Sequence, residues 1–188
     1  MLALVCGGAS SGKSEYAENL IMKLSGGDEM TYLATMESRS DAAKNRIADH
    51  EKRREGRGFS LIECEKNISC VRDNLKKNVL LECLPTLVSN EMFVGIEEGE
   101  GKGFIFNANI SDRIFGDIIA LKDRCENLVI VTNDVFSDGC IYDDMTEAYR
   151  QQLGELSCNI AEKADMVVYM TCGIPEVIKN EILDFHIF

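Results

Sequence analysis

The residues Gly7-Gly8-Ala9-Ser10-Ser11-Gly12-Lys13-Ser14 fit the pattern GxxxxGK[ST] without a gap, and they decide the fold. They follow Leu2-Ala3-Leu4-Val5-Cys6, an apolar run of the length that a buried strand needs, and precede an amphipathic segment from Ser14 to Leu24. A strand, a glycine-rich loop and a helix in this order predict a phosphate-binding loop, or P-loop. We expect its backbone N–H groups and Lys13 to bind the β- and γ-phosphates, and the Ser14 hydroxyl to bind Mg²⁺.

The acidic composition excludes several classes of function. The 188 residues include 32 Asp and Glu against 20 Lys and Arg, giving a net charge of −12, whereas a nucleic-acid-binding surface needs a basic face. No apolar run approaches the ~18 residues of a membrane span. The eight cysteines are scattered without a CxxC pair, which indicates reduced thiols rather than a disulfide scaffold. We therefore expect one cytoplasmic domain over residues 1–188, with no membrane span and no nucleic-acid partner.

Short apolar runs alternate with longer segments of helical periodicity, which predicts an α/β fold with a mainly parallel sheet and helices on both faces, in three layers. The predicted strands are Leu2–Cys6, Thr31–Ala34, Phe59–Ile62, Val79–Cys83, Leu128–Thr132 and Met166–Met170. The predicted helices are Ser14–Leu24, Asp41–Arg54, Asn67–Lys76, Asn107–Arg124 and Asp143–Ala164. The glycine-rich segment 95–103 predicts an acidic loop. Ligands of such sheets bind at the carboxyl ends of the strands, so the loops there should surround the site.

A second segment with chemical content carries His50, one of only two histidines in the chain. Arg46 lies four residues before it, on the same face of the predicted helix, and Arg53 and Arg54 follow within one turn. Neighbouring guanidinium groups favour the neutral imidazole, which is the form that can attack a phosphorus atom. The same spacing also fits a solvated helix end with basic residues near the negative end of the dipole. Spacing alone leaves both interpretations open.

Several further motifs occur in the order and approximate spacing of one family. They are Tyr32-Leu33-Ala34-Thr35, Arg46-Ile47 followed by His50 and Arg54, Leu80-Leu81-Glu82-Cys83-Leu84, Ser89-Asn90, Val131-Thr132-Asn133 and Gly173-Ile174-Pro175. With the P-loop, they extend from Met1 to about Lys179. Over that length the chain resembles the bifunctional adenosylcobinamide kinase/adenosylcobinamide-phosphate guanylyltransferase family of cobalamin biosynthesis.

The resemblance implies a RecA-like P-loop fold, usually trimeric, and two reactions. The first is phosphorylation of the aminopropanol hydroxyl of adenosylcobinamide, a corrinoid, by ATP or GTP. In the second, GMP passes from GTP to a histidine, with release of pyrophosphate, and then to the phosphorylated corrinoid, which gives adenosylcobinamide-GDP. His50 stands at the position of that histidine.

The resemblance and the chemistry together suggest the remaining site residues. Glu82 closes an apolar strand and is the candidate to hold Mg²⁺ with Ser14, and Glu63 could accept hydrogen bonds from the N1–H and N2–H₂ of guanine. Positions that match the family's nucleotide-contacting segments form a larger group. They are the P-loop residues Gly7, Gly8, Ala9, Ser10, Ser11, Gly12, Lys13 and Ser14, the residues Thr35, Met36 and Glu37, and the residues Glu51, Lys52, Arg53 and Arg54.

The chain also departs from the family pattern. Ser10 stands where most relatives have Arg, and after Asn133 the usual Glu-Val-Gly-x-Gly-x-Val-Pro is replaced by Asp134-Val135-Phe136-Ser137-Asp138-Gly139-Cys140-Ile141-Tyr142. Because that loop follows a strand at the expected site, the departure bears most on the corrinoid and on the kinase reaction. Two alternatives therefore stay open at this point: a P-loop kinase for another small molecule, and a nucleotide-binding regulatory module without turnover.

Overall fold

The computed structural model describes residues 1–36, 56–93 and 110–182. Its strands are β1 (Leu2–Gly7), β2 (Met30–Ala34), β3 (Phe59–Glu63), β4 (Asn78–Glu82), β5 (Asn127–Val131), β6 (Met166–Thr171) and β7 (Ile174–Asn180). Its α-helices are α1 (Lys13–Ser25), α2 (Leu84–Met92), α3 (Ile110–Lys122) and α4 (Asp144–Lys163). No helix of these ranges combines the length and the apolar character needed to cross a bilayer.

The strands form one sheet in the order β3-β2-β4-β5-β1-β6-β7. Strands β1 to β6 pair in parallel, and only β7 at one edge is antiparallel to its neighbour. Because β1 lies between β5 and β6, the loop that follows it leaves the interior of the sheet. Parallel strands are apolar on both faces, and accordingly the inner strands β1, β4 and β5 are almost completely buried.

Helices cover both faces of this sheet. On one face, α1 packs its Ala17, Leu20 and Ile21 against side chains from the inner strands. On the other face, α2, α3 and α4 share a larger core that includes Leu87, Ile118, Leu153 and Leu156. The predicted three-layer α/β fold is therefore confirmed.

Most predicted elements lie within one or two residues of the observed ones, but the helix predicted over Asn67–Lys76 is wrong. Only a single 3-10 turn, Ile68–Cys70, forms there. Asn67 and Asn74 both have positive φ, 51° and 62°, which interrupts a right-handed helix at both ends of the segment. The helix predicted over 41–54, the first part of the one predicted from 107, and the loop 95–103 lie outside the described residues.

Two elements were not predicted. Helix α2 begins directly after β4 with Pro85 in its first turn, where proline costs no hydrogen bond. Strand β7 carries Pro175 and is mostly exposed. An edge strand tolerates proline because it has no neighbour on one side.

A buried carboxylate, that of Glu91 on α2, joins three segments on one face of the sheet. Its side chain is 4% exposed. One oxygen accepts a hydrogen bond from the Asn67 backbone N at 2.6 Å, and the other accepts one from the Arg113 guanidinium of α3 at 2.8 Å. Glu91 thereby satisfies the backbone of the turn that replaces the predicted helix.

We predict that Glu91→Ala lowers the free energy of unfolding by about 2 kcal/mol, because it leaves a buried N–H and a guanidinium without their acceptor. For a chain of this size the melting temperature should fall by about 4–8 °C, measured by circular dichroism. Glu126→Ala is the control, since Glu126 forms an exposed pair with Lys77 that should contribute ~0–1 kcal/mol. Equal effects of the two substitutions would contradict the structural role of Glu91.

Candidate active site

The P-loop begins where β1 ends, and its first glycine has no room for a side chain. A Cβ on Gly7 would lie 2.7 Å from the Met170 carbonyl oxygen of β6 and 2.6 Å from the Ser11 Oγ. Gly12 has a φ of +89° at the start of α1, a conformation that favours glycine. The two glycines therefore allow the loop to turn sharply between the sheet and α1.

The short turn between β6 and β7 closes over the P-loop. The Gly173 N donates to the Ser11 carbonyl oxygen at 2.9 Å, and a Cβ on Gly12 would lie 3.4 Å from the Gly173 Cα. The motif Gly173-Ile174-Pro175 thus lies beside the loop at the opposite end of the sequence. The backbone contacts of Gly173 with Ser11 and Gly12 therefore hold the P-loop in place on the side facing the β6–β7 turn.

Lys13 points back into the loop that precedes it. Its ammonium donates to the Gly8 carbonyl oxygen at 3.0 Å, and the residue is 9% exposed. Burial lowers the pKa of Lys13, and the nearby Cys83 and Glu82 oppose that shift. A desolvated cation at the N-terminus of a helix is suited to attract an anion such as a phosphate.

Ser14 and Glu82 come together at the carboxyl edge of the sheet. The Ser14 hydroxyl donates to Glu82 Oε1 at 2.5 Å, and the Tyr32 hydroxyl donates to Glu82 Oε2 at 2.9 Å. A hydroxyl and a carboxylate in contact supply the oxygen ligands that Mg²⁺ prefers, and Mg²⁺ usually completes its shell with water and substrate phosphates. The two residues therefore fit a Mg²⁺ ion. Tyr32 was not predicted to take part, because in the sequence it is one more apolar strand residue.

The end of β2 is tied to its neighbours by Thr35, which is fully buried. Its hydroxyl donates to the Cys83 carbonyl oxygen at 2.8 Å and accepts from the Cys83 N at 2.9 Å. The Asn90 side chain of α2 donates to the Thr35 carbonyl oxygen at 2.8 Å and to that of Glu65 at 3.2 Å. The Thr35 hydroxyl is therefore hydrogen-bonded within the protein, and it stabilises the carboxyl edge of the sheet on which Met36 lies.

Glu63 ends β3 at the same edge of the sheet and is exposed. Ala34 of β2 is in register with Glu63 on one side and Glu82 on the other, so the two carboxylate-bearing positions are two strand spacings apart, about 10 Å. Glu63 lies four spacings from β1, about 19 Å. The other predicted positions, Glu37, His50, Glu51, Lys52, Arg53 and Arg54, lie outside the described residues.

The loop after β5 also starts at the P-loop. The Asp134 N donates to the Gly7 carbonyl oxygen at 3.1 Å. The Asp134 carboxylate accepts hydrogen bonds from the Tyr169 hydroxyl at 2.7 Å, the Ser137 hydroxyl at 2.8 Å and the Phe136 N at 3.0 Å. These hydrogen bonds lower the pKa of Asp134, and the bond from Tyr169 has the largest effect. This network was not predicted, since Tyr169 and Asp134 are 35 positions apart.

A P-loop at the end of an interior parallel strand, with its serine bonded to a carboxylate on the strand two positions away, defines the class of P-loop nucleotide-binding α/β proteins. A sequence model of the family described as cobinamide kinase / cobinamide phosphate guanyltransferase, CobU, matches residues 3–178. The chain belongs to that family, and it is accordingly an enzyme of the transferase class that combines kinase and nucleotidyltransferase activity in cobalamin biosynthesis.

Individual relatives agree with this assignment. The bifunctional adenosylcobalamin biosynthesis protein CobU of Salmonella typhimurium is 31% identical over 95% of this chain and all of its own length. The protein of the same name from Escherichia coli is 28% identical over 95% of this chain and all of its own. CobP of Pseudomonas aeruginosa, also a bifunctional adenosylcobalamin biosynthesis protein, is 25% identical over 96% of this chain and 99% of its own.

We predict that Asp134→Asn lowers stability at pH 7 and that the difference from the wild type disappears in acid. A folded-state pKa below the unfolded value contributes stability above the unfolded pKa, about 3.9, and loses it as pH falls through the folded pKa. The expected loss at pH 7 is about 1 kcal/mol, or ~2–4 °C in melting temperature. Thermal unfolding of both proteins from pH 7 to pH 2 tests this, because the folded-state pKa of Asp134 lies below its ordinary value. A deficit that stayed constant with pH would contradict it, and Tyr169→Phe should reproduce part of the pH-7 deficit.

Proposed function

We propose that this protein phosphorylates adenosylcobinamide with a nucleoside triphosphate and then transfers GMP from GTP, through His50, to the phosphorylated corrinoid. The observation that carries the proposal is the convergence of Lys13, Ser14 and Glu82 at one edge of the sheet, in a chain of this family. ATP and GTP are the proposed nucleotide substrates.

In the kinase reaction the P-loop residues 7–14 would bind the β- and γ-phosphates through backbone N–H groups and Lys13. The Ser14 hydroxyl and the Glu82 carboxylate would hold Mg²⁺. When bound, Mg²⁺ neutralises charge on the phosphates. The oxygen of the corrinoid hydroxyl would attack the γ-phosphorus and lose its proton to water, while the bond from that phosphorus to the β,γ-bridging oxygen breaks and the nucleoside diphosphate leaves. The protein's task is then to align the two reactants.

In the second reaction His50 would act as a nucleophile toward the α-phosphorus of GTP. A P–N bond forms while the P–O bond to pyrophosphate breaks. An oxygen of the phosphorylated corrinoid next attacks the same phosphorus, the P–N bond breaks, and adenosylcobinamide-GDP is released with free imidazole. Support comes from the family position of His50 and from Arg46 and Arg54 near it in sequence, which favour the neutral imidazole.

Nucleotide recognition is proposed to involve the strand ends next to β4. Glu63 would accept hydrogen bonds from guanine and so favour GTP. Because Glu63 lies about 19 Å from β1, it would contact a guanine bound along the sheet edge rather than one beside the P-loop. The remaining residues proposed for the nucleotide site are Met36, Glu37, Glu51, Lys52, Arg53 and Arg54, together with Thr35, which is fully buried and would support the end of β2. A cytoplasmic homotrimer is proposed from the family resemblance.

We predict that the protein gains the mass of one GMP when incubated with GTP and Mg²⁺, through an acid-labile, base-stable bond to His50. His50→Ala should lose the adduct, whereas His186→Ala, which changes the only other histidine, should keep it. Intact-protein mass spectrometry measures both. An adduct that persisted in His50→Ala would exclude this nucleophile. A protein that phosphorylates another small molecule and forms no adduct would be a kinase of a different kind.

We also predict that Lys13→Ala strongly weakens nucleotide binding while the protein still folds, because Lys13 is a desolvated charge at the first position of α1 rather than part of the apolar core. Affinity for GTP should fall by at least ~100-fold, measured by titration calorimetry, with little change in melting temperature. Lys77→Ala, at an exposed position remote from the P-loop, is the matched control. Nucleotide binding that survived Lys13→Ala would mean that the P-loop is not the phosphate site, and binding without any turnover in the wild type would indicate a regulatory module.

A further inference from the structure

The β5–α4 loop, residues 132–143, is the part of the candidate site that departs most from the family pattern. It begins at the P-loop, where the Asp134 N donates to the Gly7 carbonyl oxygen. A nucleotide held on the P-loop directs its terminal phosphate toward the carboxyl edge of the sheet. The molecule that receives a phosphoryl or nucleotidyl group must approach from the space that such loops border.

Arg150, on α4, binds this loop through hydrogen bonds to its backbone. The side chain of Arg150 is 15% exposed. Its Nε donates to the Val135 carbonyl oxygen at 3.0 Å, and its two terminal nitrogens donate to the Phe136 carbonyl oxygen at 3.3 Å and to Glu147 Oε1 at 2.8 Å. The planar guanidinium therefore binds two successive backbone carbonyls of the loop and one carboxylate of its own helix.

The same guanidinium also reaches the far end of the loop. Its central carbon lies 5.1 Å from the centroid of the Tyr142 ring, within the range of a cation–π contact. The Tyr142 hydroxyl donates to Asp138 Oδ2 at 2.5 Å, and Asp138 Oδ1 lies 3.9 Å from Arg150. Both ends of the loop thus converge on one side chain, while Ile141 between them is 99% exposed.

The surface that results is open and presents both polar and apolar groups. A groove of about 520 Å³ lies between the loop and α4, lined by Phe136, Asp144, Glu147, Gln151 and Gly154 among others. A Cβ on Gly154 would lie 3.4 Å from the Phe136 ring, so the ring rests closely on the helix. One aromatic ring beside carboxylate and amide groups complements an acceptor that carries apolar ring edges and amide N–H donors, as a corrinoid does.

We propose that Arg150 is a positioning residue for the corrinoid acceptor: it holds the β5–α4 loop in the conformation that borders the acceptor. This inference rests on the proposed function. In this proposal Arg150 acts through the loop and does not contact the reacting groups. A lysine could pair with one carboxylate but could not bind both carbonyls, because it lacks the planar fork of donors.

The test compares Arg150→Met with the wild type in steady-state kinetics. We expect the KM for adenosylcobinamide to rise about tenfold or more with kcat changed less than about twofold. The rate at which GTP guanylylates the protein, which needs no corrinoid, should be unchanged. Arg150→Lys should give an intermediate KM. Arg124→Met is the matched control, since Arg124 also donates to two backbone carbonyls, those of Ala120 and Val71, at the opposite end of the sheet.

The outcomes separate the two proposals. A wild type that modifies no corrinoid would overturn the proposed function and this inference with it. An active wild type whose corrinoid KM is the same as that of Arg150→Met would overturn the inference alone, as would equal losses toward GTP and corrinoid, which indicate a general structural role. If Arg150→Met does not fold, Arg150→Lys decides: a corrinoid KM unchanged within twofold would overturn the inference, and a selective rise would support it.

Discussion

The close passage of the chain at Gly7 against β6 is the constraint on which the candidate site depends. With a Cβ excluded at 2.7 Å from a backbone carbonyl, the chain can leave the middle of the sheet and turn directly into α1. That turn brings Lys13 back over the loop and Ser14 to Glu82. A side chain at Gly7 would have to push β1 away from β6. Because protein interiors are closely packed, that shift would also move Lys13, Ser14 and Glu82 relative to one another.

The charge of the whole chain makes this local geometry more important. A protein with a net charge of −12 repels a nucleoside triphosphate at long range. Attraction has to come from groups near the phosphates, within roughly a Debye length of 8–10 Å. In the described residues these groups are Lys13, the P-loop backbone and the N-terminus of α1. Burial of Lys13 strengthens its field, since fewer water molecules screen a desolvated cation.

Local signals in the sequence predicted the parts of the fold that local physics determines. The P-loop, the apolar strands and the long amphipathic helices each carry a pattern within a few residues. The helix predicted over Asn67–Lys76 failed because Ile68 is buried in the core and the backbone of Asn67 is bonded to Glu91, 24 positions away. The spacing of Leu84, Leu87, Val88 and Glu91 is that of a helix face, so α2 could have been predicted.

The site divides in the same way. Ser14 and Glu82 could be expected to share an edge, because the carboxyl ends of parallel strands coincide. Three other contacts could not be expected, because predicting each of them requires the order of the strands in the sheet. They are the Tyr32 bond to Glu82, the Asn90 bonds to two strand ends and the Asp134–Tyr169 bond. In particular, no spacing in the sequence predicts that β6 pairs with β1.

That strand order has a consequence for how the protein is made. β1 is synthesised long before one of its neighbours, β6, which begins only at Met166, and the Gly173 contact that covers the P-loop comes later still. On the ribosome β1 cannot pair with β6 until Met166–Thr171 has been synthesised, and such long-range parallel pairing is slow. The P-loop can therefore be completed only after β6 and Gly173 have been made, about 160 residues after the motif itself.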